Sequence, residues 1–179
     1  MVISEYVIKG CMVKKLNDRY LYCFLSYLSG NTNRIVITIE ELSRRTGISR
    51  ASIFHGLSRL EKKGLILKSY VYFRLNSGEL SRKLKLEVVK EPPIQISERF
   101  LFLKTLSPSE KGMLLSLINV SNPERKIFMT QKEIAEEIFC THPNTPSFKK
   151  TFKALMKKGI LKKERFCYVI QLPEFLQVP

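Results

Sequence analysis

The sequence predicts a helix-rich α+β chain in which one small module occurs twice through internal duplication. Three observations lead to this. Four segments recur in the same order at a nearly constant offset. In each copy, capping residues precede apolar positions at helical spacing. Each copy also passes from its last helix through a glycine into short strand-like runs.

The repeats can be read directly. ISEYVI at 3–8 pairs with ISERFL at 96–101, and LNDRYLYCFLSYL at 16–28 pairs with LSPSEKGMLLSLI at 106–118. RIVIT at 34–38 pairs with KIFMT at 126–130, and SRLEKKGLILK at 58–68 with KALMKKGILKK at 153–163. The offset drifts by a few residues, as short loop insertions would cause. Six-residue matches arise by chance, but four in the same order do not. The junction falls at Glu91-Pro92-Pro93, because paired prolines cannot donate to a ladder and disfavour helix before them. Residues 1–90 are therefore expected to form the first domain, 91–95 a linker and 96–179 the second domain.

In the first copy, Leu21, Phe24, Leu25 and Leu28 mark one face of a helix over 18–29, ended by Gly30-Asn31. Arg34–Thr38 reads as a strand. Thr38-x-x-Glu41 has the spacing of a capping box and opens a second helix over 39–46. Gly47 supplies a left-handed turn, and Ser49 caps a third helix that runs to about Lys63. Ile53, Leu57 and Leu60 form its inward face, and Gly64 stops it. Leu65–Leu67 and Tyr70–Leu75 then read as the two strands of a hairpin. KLKLEVVK at 83–90 alternates like a further strand that extends this hairpin or pairs across the domains.

The second copy follows the same grammar. Thr130-x-x-Glu133 opens a helix over 131–139, and a longer turn, Cys140-Thr-His-Pro-Asn, replaces the short glycine turn. Thr145-Pro146 is an N-cap followed by proline at the first helical position. Phe148, Phe152 and Leu155 match Ile53, Leu57 and Leu60, and Gly159 matches Gly64. Residues 160–163 and 166–172 supply a second hairpin. The C-terminal LPEFLQVP is apolar with little periodicity, as a segment docked on a domain or partner would be.

ELSRRTGISRASIFHGLSRLEKKGLI resembles the winged helix-turn-helix signature, in which helix 3 leaves through a leucine, a basic pair, a glycine and Leu or Ile into the wing. The resemblance covers about two-thirds of each copy and departs from the family at the His142-Pro143 turn. It implies two tandem winged helix-turn-helix domains that bind double-stranded DNA, with helix 3 in the major groove. Such a tandem arrangement resembles the replication initiators of plasmids and phages, and no motif beyond the fold narrows the choice.

On this expectation, the base-reading residues of the first domain are Ser49, Arg50, Ala51, Ser52, His55, Ser58 and Arg59. Positions 51, 55, 58 and 62 lie roughly 140–200° from the core direction at about 100° per residue. The polar members can hydrogen-bond base edges or phosphates, and Ala51 can touch a thymine methyl. Candidate backbone contacts are Arg44 and Arg45 on helix 2, Lys62 on helix 3, and Lys68 and Arg74 at the first wing. In the second copy they are Ser147, Lys149, Lys150, Lys153 and Lys157 on helix 3, with Lys162, Lys163 and Arg165 at the wing. A lysine face suits phosphate better than bidentate base reading, so the first copy is expected to read sequence and the second to add affinity.

Charge supports a polyanionic partner. The net charge is +15, from 31 Lys+Arg against 16 Asp+Glu. Residues 1–90 contribute 17 − 7 = +10 and residues 91–179 contribute 14 − 9 = +5, so both copies are basic. No apolar run approaches the ~20 residues that cross a bilayer. MVISEYVIKGCMVKK places its charges after its apolar residues, the reverse of a secretory signal. A soluble, cytoplasmic, nucleoid-associated protein with no membrane contact is expected.

Cys11, Cys23, Cys140 and Cys167 are scattered and are expected to be reduced. Cys140-x-His142 lacks a second ligand pair at metal spacing, so no metal is expected. No phosphate loop, H-E-x-x-H or paired catalytic carboxylates occur, so neither an enzyme nor a cofactor or small-molecule ligand is expected. Three functional classes stay open. The first is an initiator or replisome loader of a plasmid, phage or other mobile element, with DNA, a second copy or replication proteins as partners. The second is a transcriptional repressor on an operator, and the third is a winged-helix scaffold in chromosome segregation, which the charge disfavours.

Overall fold

The computed structural model describes residues 13–89 and 98–172. The chain is α+β, with seven α-helices and two three-stranded antiparallel sheets among these residues. Its first half runs α1 (Leu16–Leu28), β1 (Arg34–Ile37), α2 (Ile39–Thr46), α3 (Arg50–Lys62), β2 (Ile66–Arg74) and β3 (Leu80–Val88). The second begins with a one-turn helix α4 (Glu98–Leu101) and continues with α5 (Pro108–Val120), β4 (Lys126–Ile127) and α6 (Gln131–Glu133). A π-turn (Ile134–Ile138) prolongs α6, and α7 (Pro146–Lys157), β5 (Leu161–Lys163) and β6 (Tyr168–Ile170) follow.

The local signals act where the sequence places them. The Thr38 side chain accepts from the Glu41 backbone N–H, but the expected capping box is only half formed, since the Glu41 carboxylate pairs with Arg45; Ser49 accepts likewise from the Ser52 N–H. Thr130 and Glu133 form a complete capping box, as do Ser107 and Glu110. Gly47 has φ +72° and turns the chain between α2 and α3. In the second half Cys140, with φ +46°, holds the corresponding left-handed position without a glycine. Pro146 opens α7 as expected, but the Thr145 hydroxyl bonds Thr141 at 2.8 Å rather than capping the helix.

The first sheet corrects the expected hairpin. Leu65–Leu67 and Tyr70–Leu75 are not two strands, because one continuous strand, β2, runs through Lys68 and Ser69. Its partner is β3, from Ile66↔Val88 to Arg74↔Leu80, and β3 pairs on its other edge with β1. The turn lies at 75–79, where Gly78 has φ +84° and Leu75 donates to the Glu79 carbonyl at 2.9 Å. Most of the undecided segment 83–90 is thus the central strand of the sheet. The second sheet has the matching order β4-β6-β5 with a much shorter hairpin.

The halves share one continuous apolar core. Its spine is α1 against α5, the most extensive helix–helix contact in the chain. Tyr20 to Leu25 are all buried, as are Glu110 to Ile118, so each helix is covered all round. Asn17 meets Ser109, Tyr20 meets Lys111 and Arg19 meets Ser116 across the seam. Gly112 permits the approach, because a Cβ there would lie 2.0 Å from the Leu16 carbonyl oxygen. Arg19 closes the seam, donating to the Val13 carbonyl, the Ser116 hydroxyl and the Ile138 carbonyl at 2.6–2.9 Å.

The prolines of the expected linker, the repeat at 3–8 and all but the first residue of LPEFLQVP lie outside the described residues. Cys23 and Cys167 are free and buried. Cys140 is disulfide-bonded, which corrects the expectation that all four cysteines are reduced. No helix among the described residues is long and apolar enough to cross a membrane.

Candidate nucleic-acid interface

Helix α3 packs Ile53, Leu57 and Leu60 inward, each at most 2% exposed. Gly56 belongs to that inner face, since a Cβ there would meet Asp18 Oδ1 at 3.0 Å and Leu21 at 3.1 Å. The outer face then carries Arg50, Ala51, Phe54, His55 and Lys62, all exposed, with Ser52 and Ser58 half-buried. Arg50 pairs with Glu40 at 3.2 Å, but both side chains are more than half exposed. Such a pair exchanges readily with water or another anion.

Four further expected reading residues have hydrogen-bond partners within the protein, Ser49 and Ser52 with each other at the start of α3, and Ser58 and Arg59 further along it. The Ser58 hydroxyl donates to the Phe54 carbonyl and accepts from Lys68 Nζ at 3.4 Å. Arg59 is half-buried and donates twice to Asp18, whose side chain is 5% exposed. The hydrogen bond to that carboxylate raises the Arg59 pKa above its ordinary value. Base reading by Arg59 would require this pair to open, so its place in the fold is to fasten α3 to α1.

Phe54 was missed from the sequence. It lies one position from the apolar stripe yet is 58% exposed, with its ring edge-on to His55 at 5.9 Å. The signal was available, because an aromatic ring off the 53/57/60 stripe has no core to enter. On a groove-facing helix such a ring contacts thymine methyl groups.

The expected backbone contacts divide similarly. Arg44, Lys62 and Arg74 are exposed. Arg45 pairs with Glu41 one turn earlier at 2.5 Å, and Lys68 pairs with Glu61 at 2.7 Å. In the second half, α7 buries Phe148, Thr151, Phe152 and Leu155 and exposes Ser147, Lys149, Lys150, Lys153 and Lys157. The helix contains no carboxylate. Lys162, Lys163 and Arg165 are exposed on the adjoining hairpin, so the lysine surface continues from α7 into β5.

Both hairpins carry rings beside cations. Arg82 lies over the Tyr70 ring at 4.9 Å, Lys83 over Phe73 at 5.1 Å and Arg165 over Phe166 at 5.1 Å. Among the described residues, no three His, Cys, Asp or Glu side chains come together as metal ligands would. No protein-family model and no curated protein matches this chain.

Proposed function

We propose that this chain is a sequence-specific double-stranded DNA-binding protein made of two duplicated winged helix-turn-helix modules. The observation that carries this reading is α7, a helix with its apolar stripe inward and four lysines outward, unopposed by any acid on the same helix. A row of like charges repels itself and is stabilised when phosphates neutralise it. The matching helix α3 offers mixed chemistry instead: a guanidinium, an imidazole, hydroxyls and an exposed phenyl ring. Shared element order and matching sheet order in the two halves support descent from one module.

Within that reading, the chain acts as a replication initiator or loader of a mobile element, the class whose tandem-module architecture it resembles. Footprinting on the DNA flanking its own gene tests both levels. A protected array of direct repeats is the expected result. One protected inverted repeat in its own promoter makes it a repressor, and absence of duplex binding near physiological salt removes the DNA reading and favours the scaffold.

A further inference from the structure

The β2–β3 ribbon is longer than the core it belongs to. The last buried pair position is Leu84, opposite Tyr70, and no residue from 67 to 83 is buried. Beyond that point the ribbon has two solvent-facing sides and still carries rings. Tyr70 is 49% exposed and Tyr72 is 59% exposed, and the two share one side of the strand. Neighbouring tyrosines that stay about half exposed on a projecting ribbon leave their ring faces open to a ligand.

Charge identifies its class. The strands and their turn hold Lys68, Arg74, Arg82, Lys83 and Lys85 against Glu79 and Glu87. Arg82 and Lys83 each stack on a ring of the opposite strand, which leaves their remaining hydrogen-bond donors at the surface. The shorter β5–β6 hairpin repeats the device independently, with Phe166 77% exposed beneath Arg165. Rings interleaved with cations are the surface on which unpaired bases stack while phosphates are held alongside.

Spacing separates single strands from duplex. Tyr70 and Tyr72 are two residues apart on a strand that rises about 3.4 Å per residue, so their rings recur at about 6.8 Å. Successive bases in a duplex strand are about 3.4 Å apart and already stacked on each other. Two rings at twice that interval match a strand whose bases have separated, and a closed duplex offers them no face.

We propose that the β2–β3 ribbon is a single-stranded DNA-binding surface, with Tyr70 and Tyr72 stacking on unpaired bases and Arg74 and Arg82, on the same side of the ribbon, holding phosphates, and that the β5–β6 hairpin offers Phe166 as a separate stacking site. This goes beyond the duplex reading and stands without it. On a bound duplex, the same surface would hold a strand exposed by local opening.

The test uses the full chain, fluorescein-labelled dT30 and a 30-base-pair duplex, with binding followed by anisotropy. The chain has no tryptophan, so emission comes from its seven tyrosines, and stacking is read as the fraction of each protein's own emission lost on binding. Wild type is expected to bind dT30 with quenching of tyrosine emission. Tyr70→Ala/Tyr72→Ala is expected to weaken dT30 binding by about tenfold or more and to abolish most of the quenching, with duplex affinity changed by less than about threefold. Tyr70→Phe/Tyr72→Phe, which keeps both ring faces, is expected to bind dT30 like wild type. Unchanged melting curves show that each variant is folded.

Equal losses on dT30 and duplex would overturn the proposal in favour of a duplex contact. So would no loss on dT30, a monomer produced from a dimer by the alanine pair with dT30 binding intact, or alanine-sensitive binding confined to vesicles containing phosphatidylserine. Duplex binding without dT30 binding removes this proposal alone, and dT30 binding without duplex binding removes only the duplex function. An equal dependence on the tyrosines with rU30 would extend the surface to RNA and contradict a DNA-specific role.

Discussion

Arg59 holds Asp18 with two donors, Nε to one carboxylate oxygen at 2.6 Å and Nη2 to the other at 2.9 Å. The contact joins the last half of α3 to the first turn of α1. Bidentate geometry fixes helix rotation as well as distance, so the pair sets which face of α3 points outward. Arg59→Ala leaves a buried carboxylate without its partner. A fully buried pair broken in this way costs about 3–5 kcal/mol, and partial exposure of Arg59 lowers the expectation to about 2 kcal/mol. For a chain of this size that is a fall of roughly 4–8 °C in Tm. Differential scanning calorimetry checks the size. Selection of binding sites from random duplexes, done well below the Tm, checks that base preference is unchanged. Relaxed preference at one base pair with an unaltered Tm would instead make Arg59 a reader.

Gly112 and Gly56 make a controlled pair. Alanine at 112 places a methyl against backbone, the Leu16 carbonyl at 2.0 Å, which can yield only if α1 and α5 separate. Alanine at 56 meets side-chain atoms at 3.0 and 3.1 Å, of which the Leu21 methyl can rotate away and Asp18 Oδ1 can shift only by a few tenths of an ångström within its pair with Arg59. Gly112→Ala is expected to cost about 3 kcal/mol or more and Gly56→Ala about 1 kcal/mol, by chemical denaturation. Equal costs would show that the α1–α5 seam is looser than these distances indicate.

Lys111 gives a pH dependence. Its ammonium is buried in the same seam, donating to the Leu101 carbonyl at 2.6 Å, and burial lowers its pKa from 10.5 to about 8. Because the folded pKa is the lower one, the unfolded chain binds more protons between about pH 8 and 10.5. Stability contributed by this group therefore rises with pH across that window, and its cost is fully present below pH 8. Lys111→Met removes the cost without orphaning the Leu101 carbonyl, which keeps the Tyr20 hydroxyl at 2.8 Å. The variant is expected to be more stable than wild type at pH 7, with the gap closing towards pH 10. Melting curves of both proteins at pH 7, 8.5 and 10 check this, and a gap independent of pH would contradict it.

What the sequence made legible was local. Thr38, Ser49, Gly47 and the Thr130–Glu133 box act on backbone groups within a few residues, so their signals need no knowledge of the fold. The first hairpin differs from expectation because Lys68-Ser69 interrupts the apolar pattern while the true turn, Asn76-Ser77-Gly78, sits among polar residues on an exposed ribbon. A ribbon with no buried side lacks the alternation by which strands are recognised. The second buried face of α1 was equally hidden. Arg19, Tyr20 and Tyr22 are buried where Ser116, the Leu101 carbonyl and the Val89 carbonyl accept their hydrogen bonds, 67 to 97 residues away in sequence. In the candidate site, the lysine face of α7 was visible from periodicity alone. Removing Arg59 from the free outer face needed Asp18, 41 residues away.

The outer faces of α3 and α7 predict separable losses on DNA. Arg50 is exposed at the first position of α3, beside Ala51 and His55, where a guanidinium reaches a guanine edge with two donors. Its partner Glu40 is also exposed, so release costs little. Arg50→Ala is expected to cost about 1–3 kcal/mol on the preferred site and to relax preference at one base pair, with little change on random duplex. Lys150 is exposed among like charges and has a single flexible ammonium. Lys150→Ala is expected to weaken specific and random duplex alike and to lower the salt slope by about one unit. Titrations of both variants on both duplexes between 50 and 200 mM salt separate the outcomes, that being the range over which phosphate contacts lose most affinity. Equal losses on both duplexes from both variants would mean that the two helices do the same work, and that sequence is read elsewhere.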